Sequence, residues 1–419
     1  MSGQKSERYF GWVVVWAAFV VAVFGWGVGF YGTPIYLKTV QDARGWSAGL
    51  VSSAVTVHFL IGAFVVANLP RLHRRFGLAA VTIGGSVVLS LGILGWSLAQ
   101  APWQLFLATL FSGAGWVALG AAGINAMVSP WFIKKRPAAL STAYNGASIG
   151  GVLFSPLWVF LIERFGFPAA ALGVGVVMTG VIAVLALSAL GRSPQSMGLH
   201  VDGEAASPVL DVRIPVPRVP KSAGSFGRDA AFLTLAFGMA LGLFAQIGLI
   251  AHLFSLLSPA LGAQAAGLAA GMATAAAILG RTLVGWFMPI TADRRIIGAL
   301  NYGVQALGCV ALLAAAGTSI PLLLLGVFLV GLGLGNATSM PPLIAQVEFS
   351  KEEAARAFAL VMAFAQAAYA FAPAIFGLLR EFTDIQSLPA TPLVFGAALV
   401  VQLAAAGAYL IGRKRFEQR

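Results

Sequence analysis

The sequence predicts an all-α membrane protein with twelve transmembrane helices in two six-helix halves. Three observations carry that expectation. The 419-residue composition is 59% hydrophobic and only 10% charged, with a mean hydropathy of +0.89. The apolar residues gather into runs long enough to cross a bilayer. One proline-rich polar stretch then divides those runs six and six.

A soluble chain is about 45–50% apolar and about 25% charged, because its surface must be wetted. A chain with so few charges has lipid as its main solvent. A helix needs about 20 apolar residues to cross a hydrocarbon core about 30 Å thick. On that ruler the spans fall near residues 10–37, 47–71, 78–99, 103–130, 137–163 and 168–190, then 229–257, 263–289, 294–316, 321–347, 353–380 and 389–412. Barrel strands are shorter and alternate in polarity, and no run here alternates. Helices remain as the way to satisfy every backbone group in lipid. The first run is too long for a signal-peptide core and lacks a small-residue cleavage site, so it is expected to be retained as span 1. Cys309 is the only cysteine, which excludes an internal disulfide.

The net charge of +12 reads as topology rather than as a nucleic-acid surface. With loops assigned alternately, basic residues crowd the side that carries the termini. They include Arg71, Arg74 and Arg75, then Lys134, Lys135 and Arg136, the central linker, Arg294 and Arg295, and the C-terminal Arg413, Lys414 and Arg415. The opposite side holds only Lys38, Arg44, Arg164 and Arg380. The positive-inside rule then puts both termini in the cytoplasm of a bacterial-type inner (plasma) membrane.

The expected organisation is an N-terminal half at 1–190, a linker at 191–228 and a C-terminal half at 229–419. Pro194, Pro208, Pro215, Pro217 and Pro220 make the linker extended rather than helical. The halves repeat. In one frame Lys134 falls on Lys351, Pro156 on Pro373, Leu161 on Leu378 and Phe165 on Phe382. Parallel six-span repeats place a substrate site between the halves near the bilayer midplane. Glycines mark the close helix contacts: Gly113, Gly115, Gly120 and Gly123 in span 4, Gly146, Gly150 and Gly151 in span 5, and Gly331, Gly333 and Gly335 in span 10.

Arg281 is the decisive residue, a cation inside span 8. Placing it there costs about 2.5–3.5 kcal/mol on insertion scales, and such residues mark substrate or ion pathways. Its planar fork matches a carboxylate. The alternative is a cation that snorkels out or pairs with an internal acid, but Glu163, Glu348 and Glu381 all lie near span ends. Absence of a mid-span acid argues against a cationic substrate and against a carboxylate proton relay. His58 and His252 remain as proton-coupling candidates, each also readable as a packing residue. Further polar residues at plausible depth are Tyr31, Trp116, Asn125, Tyr144, Asn145, Gln246, Asn336, Gln366 and Tyr369, the last two on one helix face. Any one of them serves equally well as a bond to a neighbouring helix. Together around an arginine they fit a carboxylate site. Trp12, Trp103 and Trp131, near span ends, read as interface anchors.

At these residues the chain resembles the major facilitator superfamily, in its monocarboxylate and oxalate/formate carrier branch. Gly45-Trp46-Ser47 with Val51-Ser52 resembles the start of span 2 in that branch, and Lys134 to Ala139 its basic turn before span 5. Arg281, between Gly280 and Gly285-Trp286, resembles the branch's substrate-binding arginine. The likeness extends over all twelve spans. Departures accompany it. Arg74 stands where the superfamily's loop between spans 2 and 3 has an aspartate, and Pro289 where the matching loop after span 8 has one, with Asp293-Arg294-Arg295 following. That leaves Arg74, Arg75, Asp293 and Arg294 as the gating-loop candidates. Animal monocarboxylate carriers place an acid one turn before the arginine, where this chain has Ala277. Oxalate exchangers add a lysine in span 11, where it offers Gln366 and Tyr369.

The resemblance implies a secondary transporter working by alternating access for a small organic monoanion such as a monocarboxylate. The expected partners are that anion, with a proton as candidate co-substrate, and the lipid bilayer. A monomer is expected, with no nucleic acid, cofactor or metal. The alternatives are an efflux carrier for an amphipathic compound, suggested by 11% aromatic residues, and a transporter-like receptor. No H-E-x-x-H, nucleophile elbow or P-loop motif occurs, which argues against a metalloprotease, a serine hydrolase and an ATP-driven pump.

Overall fold

The structure, a computed structural model, describes residues 9–133, 135–203, 223–289, 292–349, 351–385 and 390–413. Lys134, one member of the repeat and of the basic turn, lies outside the described residues, as does 204–222 of the linker. Twelve membrane-length helices run through the described residues. Span 1 is α1 (Phe10–Gly29) with α2 (Thr33–Arg44), span 2 is α3 (Ala48–Phe76), and span 3 is α4 (Leu78–Leu98). Span 4 is α5 (Pro102–Leu119) with α6 (Ala121–Val128), followed by α7 (Arg136–Phe165) and α8 (Phe167–Leu185) as spans 5 and 6. Spans 7 to 9 are α9 (Ala230–Leu261), α10 (Ala263–Phe287) and α11 (Arg294–Ala314). Span 10 is α12 (Ile320–Leu334) with α13 (Asn336–Glu348), span 11 is α14 (Lys351–Tyr369) with α15 (Ala372–Ile385), and span 12 is α16 (Ala390–Ile411).

Local chemistry sets the ends. Ser47 caps α3 by accepting from Leu50 N, and Asp229 and Asp293 cap α9 and α11 through their carboxylates. On the face opposite the termini, here the far face, Gly166 and Gly262 each make a one-residue turn between spans. Their φ of +78° and +77° is accessible mainly to glycine. The linker is less extended than its prolines suggest. Short helical turns form at Gln195–Met197 and Ala223–Arg228, and the Asp202 carboxylate accepts the Ile133 and Lys135 N–H groups at 3.1 Å. This carboxylate ties the start of the linker to the corner before α7. Trp131 is buried in the same corner, 2% exposed against Tyr9 and Phe10, so it is not an interface anchor. Trp103, 65% exposed, fits that role.

The glycine stripes are packing seams. A Cβ on Gly146 or Gly150 would stand 2.2 or 2.4 Å from a carbonyl of α1, and one on Gly280 1.9 Å from Leu332 O. Such helices approach backbone to backbone, as lipid-embedded bundles require.

The first and last six spans meet along α2–α9, α3–α15 and α7–α10. In the α7–α10 seam Gly267 lies beside Ser155 and Pro156, Gly271 beside Val152, and Thr274 beside Gly151. In the α3–α15 seam a Cβ on Gly377 would stand 2.9 Å from Ala48 O. Each of these two helices there completes the other's N-terminus. Glu381 Oε2 accepts Gly49 N at 3.1 Å, and Thr56 Oγ1 accepts Ala374 N at 3.2 Å. Both N–H groups belong to first turns, where no intrahelical acceptor exists. The seams involve Pro156 of span 5 and the Pro373 end of span 11, the positions matched in the repeat frame.

Candidate functional site

Among the described residues, four spans are broken near their middles. Span 1 breaks at Phe30–Gly32, ahead of Pro34; span 4 at Gly120; span 10 at Gly335; span 11 at Ala370–Phe371, ahead of Pro373. Irregular backbone at membrane depth survives only where it is buried in protein or lines a wet cavity, and discontinuous helices build transporter binding sites. Side chains of the unbroken spans 5 and 8 reach two of these breaks. Arg281 Nε donates to Gly335 O at 3.2 Å, and Tyr144 Oη donates to Ala121 O at 3.0 Å. Tyr31, in the span 1 break, lies close enough to Arg281 to interact with it electrostatically.

Arg281 is half-buried. Beyond its Nε bond, the two terminal amino groups have no acceptor or carboxylate partner among the described residues, and neither is sealed from solvent. A buried guanidinium normally spends its donors on protein oxygens. Extending the α7–α10 register beyond Gly151 and Thr274 puts Arg281 at the level of Tyr144 and Asn145. Asn145 is exposed and Tyr144 half-buried. An amide exposed at this depth cannot face hydrocarbon cheaply, so this side of the seam lines a wet cleft. Toward the far face the way is shut. A cavity of ≈ 20 Å³ among Tyr31, Ser155, Phe254, Thr274 and Leu334 has room for about one water. The site therefore opens toward the termini and closes away from them.

Aromatic rings form the wall on the side of the first six spans. Phe30 stacks on Trp116 at 6.1 Å, and Trp26 meets Trp116 edge-on at 6.4 Å and Tyr144 at 6.5 Å. Phe59 touches Trp116 at 5.7 Å and reaches Tyr369 of span 11 at 6.2 Å. Asn336, next to Gly335, is buried, and its side-chain oxygen has no partner among the described residues.

Tyr31 and Asn336 thus lie at the two breaks nearest Arg281, Tyr144 and Asn145 lie at its level across the α7–α10 seam, and Trp116 and Tyr369 belong to the aromatic wall. Gln366 is half-buried one turn before Tyr369. Others are placed elsewhere. Gln246 donates to Gln305 at 2.9 Å, and Gln305 also accepts from Gln402, an amide cluster joining α9, α11 and α16. His252 is fully buried, its Nε2–H donating to Pro373 O at 3.0 Å and its Nδ1 accepting from Arg380 at 3.3 Å. A proton on Nδ1 would displace that bond and press two cations together. His58 bonds Ser112 Oγ at 2.8 Å and stacks on Trp116 behind the wall. Asn125 is exposed and accepts from Ser129 near the end of span 4.

The gating-loop candidates do not bridge the two sets of spans among the described contacts. Arg74 and Arg75 are exposed, Arg75 lying over Phe76. Asp293 caps α11 and accepts from Arg413 at 2.6 Å, and Arg294 donates to Leu343 O. Their neighbour Arg295, not singled out by sequence, is the buried member. It grips Glu348 with Nε–Oε1 at 2.5 Å and Nη2–Oε2 at 2.7 Å, and donates to Ala231 O. Sequence reasoning also passed over Trp26, Phe30 and Phe59. The i, i+4 pair Trp26 and Phe30, just before Gly32 and Pro34, was the available signal.

The class such a bundle defines is that of polytopic solute transporters. The sequence profile of the Major Facilitator Superfamily matches residues 15–373, and the chain belongs to that superfamily. Over 320 residues it is 27% identical to Monocarboxylate transporter 11 of Mus musculus, covering 72% of this chain and 65% of that protein. A shorter stretch of 117 residues is 32% identical to the Fujikurins efflux protein of Gibberella fujikuroi, 28% of this chain and 25% of that protein. The chain thus spans less than two thirds of either relative. A bacterial homolog of the human lysosomal transporter Spinster, solved in an inward-facing and occupied conformation, shares the fold at TM-score 0.69 and 15% identity, over 97% of both chains.

Proposed function

We propose that the protein is a secondary carrier for a small organic monoanion, alternating between a state open toward the termini and one open to the far face. The unspent fork of Arg281, half-buried beside the breaks of spans 1 and 10, carries this reading. A carboxylate would take the two free amino groups side by side. A second negative charge would need a second cation, and no other basic residue lies mid-span. The likeness to a monocarboxylate transporter supports the assignment. Residues 1–190 and 229–419 are the moving halves, 191–228 joins them, and the termini lie in the cytoplasm of an inner (plasma) membrane. The carrier acts as a monomer, without enzymatic activity, by exchange or facilitated flow. His252 is committed to Pro373 and Arg380 rather than to the site.

Counterflow in proteoliposomes with lactate and pyruvate tests this reading. Arg281→Lys keeps the charge but loses the fork, removing one charge-assisted hydrogen bond of about 1.5–3 kcal/mol. Affinity should fall roughly ten- to a hundredfold. Wild-type counterflow in Arg281→Ala, or tighter binding of succinate than of lactate, would overturn it.

A further inference from the structure

The aromatic wall is drawn from many parts of the chain. Trp26, Phe30, Phe59, Trp116, Tyr144 and Tyr369 come from spans 1, 2, 4, 5 and 11, yet each ring lies within 6.5 Å of another of the set, centroid to centroid. Tyr31 joins the wall to the fork. Its ring is 5.0 Å from Phe30, and its phenol interacts with Arg281. Trp26, Trp116, Tyr144 and Tyr369 are only half-buried, so the array keeps exposed ring surface. Lactate or pyruvate would engage the fork and leave this wall wet.

We propose that the physiological substrate is an aryl monocarboxylate, its carboxylate on Arg281 and its ring, a short linker away, against Trp26, Trp116, Tyr144 and Tyr369. Aromatic rings favour offset-stacked and edge-on partners at the centroid spacing already present in the wall, and a substrate ring would extend the same array. Tyr369 stands on the last six spans and the others on the first six. A bound ring therefore touches both moving bodies, as a ligand that biases alternating access must. The Trp116 indole N–H, buried without an acceptor among the described residues, is a donor within the same wall. This inference rests on the carboxylate reading above and adds the ring.

The test measures binding of four probes to the purified full chain: pyruvate, phenylpyruvate, lactate and 3-phenyllactate, with phenethyl alcohol as an uncharged aryl control. Burying a phenyl group should make each aryl acid roughly ten- to a hundredfold tighter than its methyl counterpart. In Trp26→Leu and Tyr369→Leu that ratio should shrink several-fold. Equal affinities within each pair in the wild type would overturn the proposal while leaving the carboxylate reading intact. An aryl preference unchanged in both folded variants would overturn the assignment to this wall. Phenethyl alcohol binding as tightly as 3-phenyllactate, with no effect of Arg281→Lys on either, would instead defeat the carboxylate reading.

Discussion

Gly377→Ala should force the far face open. The added Cβ would stand 1.7 Å from Ser52 Oγ, 2.7 Å from Ser52 Cβ and 2.9 Å from Ala48 O. Rotating the Ser52 hydroxyl relieves only the first of these. The carbonyl is backbone, so α3 and α15 must separate by several tenths of an ångström along a seam already at contact distance. Overpacking of this kind costs about 1–3 kcal/mol. The strain exists only in the closed arrangement, so the closed-to-open ratio should fall roughly five- to 150-fold. Spin labels at Arg44→Cys and Gln264→Cys, exposed far-face positions on opposite sides of the seam, would report the separation. Cys309 is buried and adds little background. A folded variant with the wild-type distance distribution would refute the idea that this seam holds the far face shut.

The reciprocal helix caps give a milder version of the same shift. Glu381→Gln loses the attraction of a carboxylate for a helix N-terminus, about 0.3–1 kcal/mol, and Thr56→Val strands the Ala374 N–H at about 1–3 kcal/mol. Both should widen the Arg44–Gln264 distance distribution, and a narrower one in either would contradict the assignment. Glu348→Gln removes the partner of Arg295, which is 1% exposed. Stability should fall by about 3–5 kcal/mol, and an unchanged thermal unfolding midpoint would show the pair to be unimportant. His252→Gln should lower thermal stability without altering how uptake responds to an imposed pH gradient. Loss of gradient-driven uptake at unchanged stability would reinstate this histidine as the proton carrier.

The spans were legible because hydropathy is a local property, and Arg281 stood out for the same reason, as a lone cation inside one of them. The glycine seams were legible for a similar reason: a missing side chain announces a close neighbour. The helix breaks were not. Gly120 and Gly335 resemble the packing glycines around them, and only the fold distinguishes a seam from an interruption. Gln246 illustrates the other limit. A buried amide reads identically whether it awaits a substrate or bonds Gln305, because its partner lies 59 residues along the chain. Arg295 escaped attention for a related reason. At the start of span 9 it looked like one more loop cation, whereas Glu348 draws it inside.

The one-residue turns at Gly166 and Gly262 have a practical consequence for handling the protein. On the far face the described connections between spans are 45–47, 99–101, 166, 262 and 315–319. A protease needs a stretch of several residues that can extend into its cleft, and most of these connections cannot supply one. An antibody raised against that face would find helix ends rather than loops to grip. A vestibule lined by Lys38, Asp42, Glu163 and Ser258 offers deeper relief there. Binders for this side are best selected with a protruding loop that enters it.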